Sequence, residues 1–166
     1  MQIKTEAFSE DGYIINQHEL SDVPYGRRTS KESGCGWIAA FNFLRAIGRD
    51  APWPYIHTAF AGGGLGRGAF GTGPFRLYRF LKCQELPALR YVVGRKQALR
   101  RAGDGLHAGV LLYRHRTGLH YVAFKQDGEG VFRFFNAMPG NARHVESMED
   151  FLRTHTKAWP ILLMAV

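Results

Sequence analysis

At 166 residues, 45% of them apolar, the chain suits a single domain, residues 1–166, built around one substantial core. Its longest apolar runs, 108–113 and 161–166, fall far short of the roughly 20 residues that a membrane-spanning helix needs. The polar start through Glu10 and Asp11 lacks a signal-peptide layout, so a soluble cytoplasmic protein is expected, with export by a signal-independent route left open. The net charge of +8 admits anionic partners, but the pairs Arg27-Arg28, Arg95-Lys96 and Arg100-Arg101 lack aromatic interleaving, which argues for solvated surface and against nucleic acid.

No repeat or linker divides the chain, and the one glycine-rich interruption, 62–73, reads as a long loop. Before it, Trp37, Ala40, Phe41, Leu44 and Ile47 recur at the spacing of one buried helical face. A helix is therefore predicted over 34–47, with Ser33 as its cap and Gly48 as its stop. Beyond the loop, Pro74 suits the first turn of a helix over 74–82, and a short helix follows over 96–101. β-rich runs occupy 108–113, 119–125, 131–136 and 160–166, with a short helix over 147–153 between the last two. Helices first and strands later predict an α+β fold.

The stretch Ser33-Gly34-Cys35-Gly36-Trp37 puts a thiol in the first turn of the predicted helix, where unpaired N–H groups and the positive dipole end favour a thiolate. An arbitrary cysteine is more often a small buried residue; the flanking glycines shift the balance by leaving room for a substrate carbonyl. A thiol nucleophile needs an imidazole to take its proton and pass it to the leaving amine. Of the seven histidines, His18, His57, His107, His115, His144 and His155 stand in polar or loop-like surroundings, and His120 alone heads an alternating strand.

A hairpin centred on Gly128 pairs Phe124 with Phe132, Val122 with Phe134 and His120 with Asn136. Four apolar side chains then share a core face that ends in an imidazole beside a carboxamide. The Asn136 amide would accept the Nδ1 proton of His120 and aim Nε2 at the thiol. A two-residue turn at Asp127-Gly128 would instead oppose His120 to Phe135 and send Asn136 to the other face. The longer turn is preferred because Gly130 can take a left-handed position and because apolar then meets apolar. An edge histidine satisfied by its neighbours, and a turn-forming asparagine before Ala137-Met138-Pro139-Gly140, are the plain structural alternatives.

Gly-Cys-Gly-Trp at 34–37, Leu-His-Tyr-Val-Ala at 119–123 and Phe-Phe-Asn at 134–136 together resemble the papain superfamily. The nearest likeness is to the bacterial papain-like peptidases that cut leader peptides after a double glycine, and to their stand-alone relatives. The resemblance spans residues 22–137. It implies a papain-like α+β fold in which the cysteine-bearing helix packs on a mostly antiparallel sheet. It also implies a cysteine peptidase that acts on a peptide or protein through a thioester, without metal or organic cofactor, with Cys35 as nucleophile, His120 as general acid/base and Asn136 as orienting residue. The family has a glutamine about six positions before the cysteine, whose amide helps hold the oxyanion. Here Thr29 and Ser30 occupy that region, and Gln17 or Asn16 could substitute. That departure keeps a catalytically weak peptide-binding module open as an alternative, and the basic charge keeps a cell-wall amidase open.

Gly66-Arg67-Gly68-Ala69-Phe70-Gly71 has the spacing of a dinucleotide fingerprint, but Pro52, Pro54 and a run of glycines precede it where a strand belongs. The better reading is a mobile loop that the resemblance puts beside a substrate groove. The histidines and cysteines include no pair at zinc-site spacing, and Cys35 and Cys83 stand in contexts too unlike to suggest a disulfide. Trp37, Phe41, Phe75, Tyr78, Phe124, Phe132 and Phe134 read as core.

Overall fold

The computed structural model describes residues 2–62, 66, 71–86, 89–115, 118–137, 144–155 and 157–166. An N-terminal arm with short 3-10 turns at Thr5–Ala7 and Gln17–Glu19 leads into a small hairpin, β1 (Pro24–Tyr25) and β2 (Arg28–Thr29). Four helices follow: α1 (Ser30–Ser33), α2 (Cys35–Ala46), α3 (Trp53–Ala61) and α4 (Pro74–Lys82). The remainder is β3 (Arg90–Val93), α5 (Arg95–Gly103), β4 (Ala108–His115), β5 (Gly118–Gly128), β6 (Val131–Phe135), β7 (His144–Ser147), α6 (Met148–Thr154) and β8 (Lys157–Ala165). The fold is mixed α+β, with one six-stranded antiparallel sheet in the order β3-β8-β4-β5-β6-β7. Among the described residues no helix is long and apolar enough to cross a membrane.

The strand alternation divides the core into two layers. Val110, Leu112, Tyr121 and Ala123 face α2, α3 and α4, whereas Leu111, Tyr113, Val122, Phe124, Phe132 and Phe134 face α5 and α6. Helix α2 is central rather than amphipathic: residues 36–44 are all buried, Ile38, Ala39 and Phe43 included, because the sheet covers one side and α3, α4 and the arm cover the other. Each large apolar side chain buried there contributes roughly 1.5–3 kcal/mol. The one polar member, Asn42, is satisfied by the arm: its Oδ1 accepts from Ile14 N–H at 2.8 Å and its Nδ2 donates to Ile14 O at 2.7 Å.

Several predicted boundaries shift. Ser33 is the last residue of α1 and Gly34 is the cap of α2. Ser147 caps α6, accepting from Asp150 N–H at 3.1 Å, instead of starting it. Helix α3 and strands β3 and β7 have no counterpart in the sequence reading. Pro52 and Pro54 argue against a strand there, and Pro54 lies in the first turn of α3, where a missing N–H costs no hydrogen bond. Residues 63–65 and 67–70 of the predicted glycine-rich loop, and 138–140 of the predicted turn, lie outside the described residues.

The β5–β6 hairpin differs in register by two residues. Phe124 faces Phe134 and Gln126 faces Phe132, with a bulge between Gln126 and Gly128, where Gly128 pairs with Val131. Gly130 is left-handed, with φ +68°. Because side chains alternate with period two, a slip of two keeps every apolar residue on its predicted face. It does undo the direct pairing of His120 with Asn136.

Gly109 marks a close approach within the sheet. A Cβ there would lie 2.6 Å from Met164 O and 2.7 Å from Phe124 Cζ. Gly109→Ala is expected to cost about 1–3 kcal/mol, a fall in Tm of roughly 2–12 °C; an unchanged melting curve by circular dichroism would contradict this packing.

Candidate active site

Cys35 opens α2 directly behind α1. Gly34 closes α1, its N–H donating to Ser30 O at 2.9 Å, and also caps α2. A Cβ on Gly34 would meet Ser30 O at 2.5 Å, and one on Gly36 would strike the Thr72 side chain. Thr72 lies against the first turn of α2, held by Tyr25 Oη to Oγ1 at 2.5 Å and by Tyr121 Oη donating to its carbonyl at 3.0 Å. The two glycines therefore permit close packing around the cysteine, where the sequence reading assigned them open space for a substrate.

Cys35 is half-buried as a residue, with its sulfur turned inward. Burial pushes the thiol up, and the backbone N–H groups of Tyr121, Gly36 and Cys35 itself pull it down without offsetting the burial. The helix-dipole expectation of a thiolate thus loses to desolvation. Without a proton acceptor the resting form at neutral pH is the thiol.

The Tyr121 amide reaches the sulfur because β6 stops short. Gln126 N–H donates to His107 O at 2.6 Å on the β4 side of β5. N–H groups alternate sides along an antiparallel strand, so the Tyr121 N–H points to the β6 side, two residues beyond the last β6 pair, Ala123 with Phe135. Cys35 occupies the place where a further β6 carbonyl would bond.

His120 shares its strand face with Val122 and Phe124, away from α2. Beyond the end of β6, its ring reaches Asn136, with Nε2 2.8 Å from the main-chain oxygen. A carbonyl can only accept, so Nε2 carries the hydrogen and Nδ1 is the basic nitrogen of the neutral ring. This reverses the expected assignment, which had Nδ1 held and Nε2 aimed at the thiol. Tyr113, paired with His120 and edge-on to it at 5.8 Å between ring centroids, has its hydroxyl pushed up, first by burial and then by the charge of an ionised Cys35. Tyr121 and Tyr25 are pushed up by the same two causes.

Asn136 is buried and left-handed, with φ +63°, a conformation that asparagine tolerates better than most residues. Its carboxamide is engaged by Gln17: Oδ1 accepts from Gln17 N–H at 3.1 Å and Nδ2 donates to Gln17 Oε1 at 3.0 Å. The contact to His120 is thus made by the main-chain oxygen, where the sequence reading gave it to the side chain. Gln17 Nε2 donates to Lys31 O at 3.0 Å, Asn16 caps its own 3-10 turn, Thr29 forms a capping box with Glu32, and Ser30 accepts from Trp37 Nε1 at 3.0 Å. Gln17 and Asn16, considered as replacements for the upstream glutamine, and Thr29 and Ser30, which stand in its region, each have another partner.

His57, read as loop-like, is buried in α3, its Nε2 2.7 Å from Pro24 O and its ring edge-on to Trp37. Cys35 and Cys83 are both free. Among the described residues no three His, Cys, Asp or Glu side chains come together as a metal site. Compared with known protein families and with curated proteins, the chain matches none.

Asn136→Gly retains a backbone able to be left-handed but loses the carboxamide. It should keep the Nε2–H tautomer of His120, read from long-range proton–nitrogen NMR correlations. Stability should fall by about 1–3 kcal/mol for two lost, partly buried hydrogen bonds. An Nδ1–H tautomer in the unaltered protein would contradict the geometry.

Proposed function

We propose that the protein is a papain-like cysteine hydrolase of peptide or related amide bonds, with Cys35 as nucleophile, His120 as general base and acid, and Asn136 as a positioning residue acting through its main-chain carbonyl. The observation that carries this reading is that, at the end of β6, the Cys35 sulfur meets the amide of Tyr121, the residue that follows His120. His120 is anchored through Nε2, which leaves Nδ1 as its basic atom. The order Cys, His, Asn along the chain and a cysteine helix packed on an antiparallel sheet support the same reading.

In the reaction, Nδ1 takes the Cys35 proton as the sulfur attacks the substrate carbonyl carbon. The carbon–nitrogen bond breaks, and the imidazolium returns the proton to the leaving amine. Water, giving a proton to Nδ1, then attacks the thioester, releasing the carboxylic acid and restoring the thiol. Backbone N–H groups at the start of α2 are the available oxyanion donors. The absent glutamine amide lowers the rate on the order of a hundredfold relative to a site that has it.

Two observations favour a second reading, a peptide-binding module with little turnover: the upward push on the Cys35 thiol and the engagement of Thr29, Ser30 and Gln17 elsewhere. Incubation with a diverse peptide library and, separately, with purified peptidoglycan distinguishes these readings by mass spectrometry. The hydrolase reading predicts peptide cleavage that vanishes in Cys35→Ala and falls by about 10²–10⁴ in His120→Ala. Peptides retained intact would support the binding module, and fragments from peptidoglycan alone would make the enzyme an amidase.

A further inference from the structure

Among the described residues, strand β3 is one edge of the six-stranded sheet, paired only with β8. It lies between two helices, α4 on the face that carries α2 and α5 on the other. Between α4 and β3 runs an open groove of about 610 Å³ lined by Pro74, Phe75, Tyr78, Tyr91, Val93 and Leu162. Phe75 is 72% exposed, Tyr91 41% and Val93 43%, so the reading of Phe75 as core is wrong. Phe75 lies in the first turn of α4, where its ring is left uncovered.

Charge is concentrated in the same elements. Residues 74–104, from α4 through α5, carry eight Lys and Arg against only Glu85 and Asp104, a net of +6 out of the chain's +8. Arg79 lies 5.9 Å from the Phe75 ring centroid, and Arg90, Arg95 and Lys96 are exposed. Cations on an edge strand commonly serve to prevent unwanted pairing. That purpose gives no reason for an aromatic groove beside them.

We propose that the β3 edge and this groove bind an extended acidic peptide as an added antiparallel or parallel strand. Its main chain pairs with the outer edge of β3, its apolar side chains enter the groove on the α4 side, and its carboxylates meet the cations on the α5 side. The alternation of a strand matches this division: Tyr91 and Val93 share the groove face, while Val92 packs with α5 and Arg90 alternates with Tyr91. The groove is tied to the cysteine helix through the chain: Pro74 and Phe75 follow within three residues of Thr72, which lies against Gly36. The proposal goes beyond the hydrolase reading and holds whether or not Cys35 cleaves what is bound.

The test uses the full chain carrying Cys35→Ala, so that cleavage cannot obscure binding. Fluorescence anisotropy is measured with a short labelled peptide alternating glutamate and leucine, the same peptide with lysine for glutamate, and a version N-methylated on alternate amides. The glutamate peptide should bind, and the lysine and N-methylated peptides should bind about tenfold more weakly or worse. Phe75→Ser and the pair Arg95→Glu with Lys96→Glu should each weaken binding about tenfold without moving the melting temperature. Equal binding of the lysine or N-methylated peptide, indifference to the substitutions, or displacement by a single-stranded oligonucleotide of equal charge would overturn the proposal.

Discussion

The site depends on where β6 stops. Were β6 to continue in its register, Ala137 would come opposite Tyr121 and its carbonyl would take the amide that now meets the Cys35 sulfur. Asn136 prevents this by turning left-handed. The N-terminal arm holds it there: Asn42 of α2 grips Ile14 at both its N–H and its carbonyl, Tyr13 stacks on Phe135 with ring centroids 3.9 Å apart, and Gln17 grips the Asn136 carboxamide. The arm thus couples the cysteine helix to the strand end, and the cost of ordering it is offset by buried hydrogen bonds and aromatic packing.

The electrostatics of the site set burial against proton acceptance. A buried sulfur near Tyr25, Tyr113 and Tyr121, all with hydroxyls pushed up, is a poor place for an unpaired negative charge. Three backbone N–H groups soften that penalty without removing it. On the proposed reading the proton acceptor is the His120 imidazole, whose Nε2 lies 2.8 Å from Asn136 O. Thiolate formation in this account is a property of the pair, not of the helix end.

Much of this is legible in the sequence, for identifiable reasons. Pro74 at a helix start locates α4, and the alternation in 120–124 and 131–135 locates the two strands and their faces. The register offset is not legible, because a pattern of period two reads the same after a slip of two. Nor is the role of Asn136: a residue name announces a carboxamide, whereas the atom that meets His120 is a main-chain oxygen aimed by a positive φ. Gln17, weighed from sequence only as an oxyanion donor, proves to be the partner of Asn136, a contact across 119 positions that no local pattern signals. His57 and Phe75 fail in opposite directions, the one buried among Trp37 and Tyr25 and the other exposed at a helix start.

The most direct test of the Cys35–His120 pairing is the pH dependence of Cys35 alkylation by iodoacetamide in a Cys83→Ser background, with and without His120→Ala. A folded-state thiol pKa raised by burial lowers the thiolate fraction at any given pH, so His120→Ala should begin to react only above the ordinary free-thiol value of about 8.5. With His120 in place, the account predicts a reactive plateau extending well below that value. Superimposable profiles in the two proteins would contradict it.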